Sequence, residues 1–406
     1  MTDSIFVRLR HALGESAVER GPNGTLRALP DSTGAVATVC GLAHEQGWRI
    51  RLEGNRTWMP SDAPADLALS TGRLNRIFEA TPADLVATVE AGVELAGLNR
   101  ELGDRGVWLP LDPPGLPERS IGSVIATGTA GPLRHGFGPV RDHILGGTIV
   151  TGDGRVITAG GRVVKNVAGY DLTRLQVGGF GAFGVVTQLH LRLRARPAAR
   201  VSLLAAGERD LLTRQARALM EIQLAAASLE LFSPTLGESS QWSLLLELTG
   251  TEAGVEAEAA RAMTKSEVVW TRLPPDRTAA FRAAVAIAPL TAPTTFRIGV
   301  LPDGLDEMLD LLQAKLDLGV VSAGPGRGLL RWSGEPTLAA LREVRRIAAE
   351  REMPLTLERA PWDLRQAFGH FGAYREGVGP LVSRLRSTFD PDPTFAVALE
   401  ADEAAS

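Results

Sequence analysis

Gly179, Gly181 and Gly184 stand as G-x-G-x-x-G within "VGGFGAFGVV". Glycines at this spacing let a backbone approach a pyrophosphate when they follow a strand and open a helix. The flanks here run the other way. Upstream, "AGYDLTRLQV" places Leu172, Leu175 and Gln176 or Val177 at helical spacing. Downstream, Leu189, Leu191 and Leu193 alternate with Gln188, His190, Arg192 and Arg194, the period of a strand. A strand after the third glycine offers a pyrophosphate no helix start. The nicotinamide reading is therefore rejected, and spacing alone leaves a helix-to-strand turn whose glycines permit close packing.

Other reactive residues are few. Cys40 is the only cysteine, which excludes an intramolecular disulfide and an all-cysteine iron–sulfur cluster within the chain. The histidines are His11, His44, His135, His143, His190 and His370, with no pair at metal-ligand spacing. There is no G-x-S-x-G nucleophile turn. His370, in "FGHFGAYREG", reads as a packed or surface residue rather than a base. Arg297, in "TTFRIGV", has the charge to meet a carboxylate, but lysine occurs only at 165, 265 and 315, so arginine is everywhere.

The elements around these residues follow from pattern. Of 44 glycines, 17 fall between Gly115 and Gly184, which marks a region of tight turns and close approaches. Ser32 or Thr33 caps a helix carrying Val36, Val39, Cys40 and Ala43, and Gly47 ends it. "WRIRLE", "DLALS" and "LVATVEAGV" read as strands, and "ELAGLNRELGDRG" as a helix with Leu95, Leu98 and Leu102 on one face. "GGTIVTGDGRVITAGG" reads as a hairpin turning at Gly152-Asp153. Beyond Arg196-Pro197, helical patterns alternate with strand-like runs, which predicts a second sheet with helices on one face. The tail after Phe389 is expected to pack loosely. A length of 406 residues suits two domains, and a net charge of −4 without a basic run argues against a nucleic-acid partner. No apolar run reaches 18 residues and the N-terminal stretch has no secretory pattern, so a cytoplasmic protein without a membrane span is expected.

"GGRVVKNVAGYDLTRLQVGGFGAFGVVTQLHLRLRARP" resembles the signature of the flavin-binding domain of the vanillyl-alcohol oxidase (PCMH) type. Within that family it is most similar to FAD-binding subunits of bacterial glycolate oxidase. "RLEGNRTW", "PADLVATVEAGVELAGLNREL" and "VWLPLDPPGLPERSIGSVIATGTAGPLRHGFGPVRDHILG" carry the resemblance through the first 200 residues or so. The fold it implies is α+β: a PCMH-type FAD-binding domain of two α+β subdomains over residues 1–196, then a smaller α+β cap domain with a C-terminal tail over 197–406.

The resemblance implies a noncovalent FAD site. It places Gly54, Asn55, Arg56 and Thr57 at the pyrophosphate, with Pro114, Gly115, Gly122, Ser123, Ala126, Thr127 and Gly128 along the pyrophosphate and ring. Arg134, Gly136, Arg141 and Asp142 follow in the same shell; Asn166, Val167, Ala168 and Gly169 lie against the ring or its ribityl chain; Gly184 and Val185 close the adenine side. Glycine-rich turns can supply such N–H nests without lysine. Arg134 and Arg141 also read as surface cations, and Asp142 and Asp171 as turn or helix caps, the reading favoured for Asp171. Lys165 suits either a flavin or a carboxylate partner. Two departures stand out. Glu53 sits beside the first loop, and the tail "FDPDPTFAVALE" lacks the Asn and Gly of an F-N-P-G-like return to the flavin. The resemblance therefore carries over no C-terminal contact.

Oxidising a 2-hydroxy acid needs a base for the hydroxyl proton and a cation for the carboxylate. The histidine-rich H-x-G-D-G-N-x-H run of catalytic relatives is missing. The expectation is an FAD-binding subunit of a glycolate oxidase complex, partnered by a sister FAD subunit and an iron–sulfur subunit that leads electrons to the inner face of the membrane. The alternatives are a self-sufficient FAD-dependent 2-hydroxy-acid dehydrogenase, such as a D-lactate dehydrogenase, and an assembly scaffold with a weak flavin site.

Overall fold

The computed structural model describes residues 2–21, 24–162, 171–236, 240–371 and 376–399. The first sheet contains β1 (Val18–Arg20), β2 (Leu26–Ala28), β3 (Ile50–Glu53) and β4 (Leu67–Ser70), in the order β1-β2-β4-β3. β2 and β3 both run parallel to β4. The helix Thr33–Gln46 connects β2 to β3. Ser32 accepts a hydrogen bond from the Ala35 N–H at its start, and Gly47 closes it in the left-handed region. Its Val36, Val39, Cys40 and Ala43 are buried, as their spacing predicts.

The second sheet is antiparallel, in the order β5-β6-β10-β8-β9. Its strands are β5 (Ile77–Thr81), β6 (Val86–Glu90), β8 (Ile144–Val150), β9 (Val156–Gly160) and β10 (Val185–Arg192). β8 and β9 form the predicted hairpin. The short helix Leu172–Leu175 precedes the glycine turn and β10 follows it, so the G-x-G-x-x-G leads into an antiparallel strand. Asp171 caps that helix, accepting from the Arg174 N–H at 3.0 Å. A ribbon of β7 (Val107–Trp108) and β11 (Arg194–Ala195) joins this region to the next.

The third sheet has eight strands, in the order β15-β12-β14-β13-β17-β18-β16-β19. They are β12 (Ala199–Gly207), β13 (Ala226–Phe232), β14 (Trp242–Gly250), β15 (Trp270–Leu273), β16 (Thr294–Gly299), β17 (Val320–Gly324), β18 (Leu329–Gly334) and β19 (Leu355–Arg359). The helices Arg209–Glu221, Glu252–Thr264, Leu305–Lys315 and Leu338–Glu350 bury their apolar stripes in one core against it.

The tail does not pack loosely. Phe395 is fully buried in the core of the first sheet, and the backbone at Thr394 and Ala396 bonds both polar groups of Ile50. β3 lies at the edge of that sheet, so the tail satisfies backbone groups that an edge strand leaves open. An apolar Phe in a Pro-rich segment has a partner only once the fold brings β3 to it.

Candidate cofactor cleft

The end of β3, the helix Ile121–Thr127 and the glycine turn before β10 surround one cleft. Nine of the expected site residues line it: Gly54, Arg56, Thr57, Gly122, Ser123, Ala126, Thr127, Gly184 and Val185. Asn55 stands behind this wall. Its side-chain amide donates to the Glu118 carbonyl at 2.8 Å and ties the 54–57 loop to the segment before the helix. Arg56 is exposed, left-handed at φ 56, and makes no ion pair among the described residues. Among the lining residues it is a guanidinium free to meet an anion.

Glu53 does not oppose an anion in this cleft. β2 and β3 flank β4 in a register that sets Arg27 and Arg51 on either side of Ala68. Both reach the Glu53 carboxylate, at 3.3 and 2.9 Å. The charge is neutralised within the sheet.

The glycines answer to chain packing. A Cβ on Gly184, at φ +124, would lie 2.6 Å from Ile149 Cγ2 and 2.7 Å from the Val150 carbonyl of β8. A Cβ on Gly122 would lie 2.9 Å from both the Cβ and the carbonyl oxygen of Ala91. Gly122 lets the helix seat against Ala91 just past β6, and Gly184 lets the turn before β10 close on β8; together they form the cleft wall.

The other expected residues lie elsewhere. Pro114 lines a second cavity, and the Gly115 N–H donates to the Ala286 carbonyl. Gly128 packs on Gly178, and Gly136 packs on Ala226 and Ala227 of β13. Arg134 is partly buried, and burial together with Arg327 and Arg297 pushes its guanidinium down to about 10. Arg141 and Asp142 are exposed and face each other at 3.8 Å, which favours the surface reading of Arg141. Asn166, Val167, Ala168 and Gly169, with Lys165, lie outside the described residues.

Two residues that no spacing rule marks belong with the cleft, Trp58 in its lining and Arg119 packed on Trp58. Trp58 lines it, and its buried indole Nε1 has no hydrogen-bond partner among the described residues. Arg119, fully buried, lies over the Trp58 ring at 4.6 Å. It donates to the Pro114 carbonyl, to Thr127 Oγ1 at 2.7 Å and to Ser123 Oγ at 3.4 Å, with no carboxylate paired to it among the described residues. Burial pushes its guanidinium down to about 9, still charged at neutral pH. Among the described residues this guanidinium has no directly paired carboxylate and the indole N–H no acceptor, which beside one cleft suits a ligand that brings negative charge and acceptors.

His370 also lines the cleft, stacked on Phe180 at 3.7 Å, with Nδ1 2.6 Å from the Leu357 carbonyl. Burial pushes its imidazole down to about 3, so it stays neutral and serves as an aromatic wall rather than a base. Arg297 is held by Glu358 at 2.6 Å and donates to the Thr127 carbonyl at 3.4 Å, so a carboxylate already occupies it. Ala396 and Val397 bring the tail into the cleft, a contact that the altered C-terminal run did not promise. No group of metal-ligating side chains and no helix long and apolar enough to cross a membrane occurs among the described residues.

The second cavity lies where Asp112–Pro114 and Gly131–Pro132 meet the third sheet. Asp112, Glu247, Arg282 and Arg331 are its charged members.

Residues 25–160 match the family model described as FAD binding domain. Over 123 residues the chain is 44% identical to the glycolate oxidase subunit GlcE of Escherichia coli (strain K12), covering 30% of this chain and 35% of that protein. Over 216 residues it is 33% identical to a D-2-hydroxyglutarate dehydrogenase of Xanthomonas citri pv. viticola, covering 52% of this chain and 46% of that one. The matches thus span about a third to a half of these relatives. A solved alkyldihydroxyacetonephosphate synthase shares the fold at a TM-score of 0.74 and 13% identity, covering 97% of this chain and 84% of that one.

Proposed function

From an FAD-binding domain of the PCMH type, carried on residues 25–160, we propose that the chain is an FAD-dependent 2-hydroxy-acid oxidoreductase and serves as the FAD-binding subunit of a glycolate oxidase complex. The observation that carries the reading is the cleft. Its orphan Trp58 donor and free Arg56, with Arg119 over the Trp58 ring, suit an anionic dinucleotide. In this reading the 54–57 loop and the Gly122-Ser123 turn hold the pyrophosphate, and Gly184-Val185 close on the adenine. The neutral His370–Phe180 stack excludes water from one wall. Bound FAD supplies a two-electron acceptor. The similarity to a glycolate oxidase subunit supports partner subunits, and the lone cysteine requires that any iron–sulfur cluster come from one of them.

A second reading, a self-sufficient dehydrogenase, is favoured by the Asp112–Arg282 cavity, which gives a substrate its own place. An absorption spectrum of the gently purified chain, with glycolate and D-lactate turnover, tests both. About one flavin per chain and poor turnover alone is expected. Fast turnover without partners overturns the subunit assignment. A flavin content near zero leaves the scaffold reading.

A further inference from the structure

We infer that the cavity between Asp112–Pro114 and the third sheet is a substrate chamber for 2-hydroxy acids with a branched or aromatic side chain. This rests on the second oxidoreductase reading above, in which the chain has its own substrate, and names the substrate class within it.

The chamber is polar at one end and apolar elsewhere. Its apolar wall includes Phe232, Leu245, Phe281, Val285 and Val320. Small-ligand sites combine an apolar lining with a few convergent polar groups, and this cavity has that composition. The polar end is only partly satisfied. Glu247 is buried; its Oε1 faces Arg282 at 3.4 Å, Arg200 at 3.5 Å and the Ser202 hydroxyl at 3.4 Å. Its Oε2 has no partner among the described residues. A buried carboxylate oxygen without a donor marks the place for a hydroxyl that a ligand brings. Arg282 stands between two carboxylates, 3.5 Å from Asp112 and 3.4 Å from Glu247, and grips neither in a short fork. Such a guanidinium can turn to an incoming carboxylate at small cost. Burial raises the Asp112 carboxyl to about 7, which relieves the repulsion a second anion would otherwise meet.

The chamber adjoins the cofactor cleft. Pro114 lines the chamber and its carbonyl accepts from Arg119, which also bonds Thr127 in the cleft. Arg331 lines the chamber and shares Glu358 with Arg297, which donates to the Thr127 carbonyl. Arg119 and Arg297 thus link the two spaces through Thr127.

Glycolate has no side chain and leaves the apolar wall unfilled. Each methylene placed there is worth about fourfold in affinity. Calorimetric titration of the FAD-loaded chain with glycolate, D-lactate, 2-hydroxy-4-methylpentanoate and mandelate tests the chamber without relying on turnover. The two larger acids are expected to bind at least ~30-fold tighter than glycolate. Val285→Trp should remove that preference while flavin content stays unchanged. Arg282→Leu should weaken all the acids at least ~10-fold while 3-methylbutan-1-ol, which lacks the carboxylate, is unaffected. Glycolate binding as tightly as mandelate, or a preference that survives Val285→Trp, overturns the chamber. Flavin absorbance read in the same samples separates the two failures. Larger acids that bind but never bleach the flavin count against the oxidoreductase reading alone. Bleaching by glycolate with no binding of larger acids counts against the chamber alone.

Discussion

At the scale of single residues, the molecule buries charge and answers it locally. Glu358 is fully buried between Arg331 at 2.7 Å and Arg297 at 2.6 Å. Burial alone would raise its carboxyl, but the two guanidiniums outweigh burial and hold it down to about 2. Its folded value lies below the unfolded one, so its stabilisation is full above about pH 5 and is lost as pH falls toward 2. Glu358→Gln leaves the buried Arg331 and the partly buried Arg297 without their shared carboxylate and should cost about 3–5 kcal/mol in urea unfolding at pH 7. The gap to the parent chain should close near pH 2–3. Asp112 has the opposite sign. Its folded value of about 7 exceeds the usual 3.8, chiefly through burial, with Arg282 and the Leu133 N–H opposing it. The folded chain therefore holds a proton that the unfolded chain releases, and stability falls as pH rises from about 4 to about 7. Asp112→Asn should gain stability over the parent chain across that window, on the order of 4 kcal/mol at most, and the gain should level off above pH 8. A constant difference at all pH values would refute the assignment. Sequence spacing reveals little at this scale. It shows Glu53 beside a proposed anion loop, but Arg27 reaches it only through parallel pairing across β4. Trp58 and Arg119 meet because two loops converge, and no period links residues 61 positions apart.

At the scale of elements, much more is legible. The caps of Thr33–Gln46, the β8–β9 hairpin and the alternation in β10 are written in neighbouring residues, and the structure contains each of them. The glycines are legible as punctuation, but not in the reason for them. Gly122 seats the helix Ile121–Thr127 against Ala91, just past β6. Ile121, Val124 and Ile125 bury in the same core as Leu189 and Leu191 of β10. A methyl group at 122 cannot be absorbed by a flexible side chain, since one of its neighbours is the Ala91 backbone. Gly122→Ala should cost about 1–3 kcal/mol by overpacking. It should also weaken FAD binding at least ~10-fold, followed by flavin fluorescence quenching, because the displaced turn carries Ser123 into the cleft. Unchanged stability with lost FAD would instead mean that Gly122 is reserved for the cofactor alone.

At the scale of the whole molecule, the chain closes on itself. It leaves the third sheet after β19 and runs through the helix Val378–Phe389. The Gly152 N–H of the β8–β9 turn donates to the Phe389 carbonyl at 2.7 Å. The Asp390 carboxylate then accepts from the Thr394 and Phe395 N–H groups, at 2.9 and 3.1 Å, and shapes the turn that aims Phe395 into the first sheet's core. This return links residues 394–397 to the first sheet and adds Ala396 and Val397 to the cleft. Phe395→Ala should therefore have two effects. Removing a fully buried phenylalanine should cost about 3–5 kcal/mol in urea unfolding. Because the tail also walls the cleft, FAD should dissociate faster from the variant at denaturant concentrations well below its unfolding midpoint. The parent chain should lose FAD and tertiary structure together. Measuring flavin release and tryptophan fluorescence on the same urea series checks this. Coincident transitions in Phe395→Ala would show that the tail supports the fold without closing the cleft.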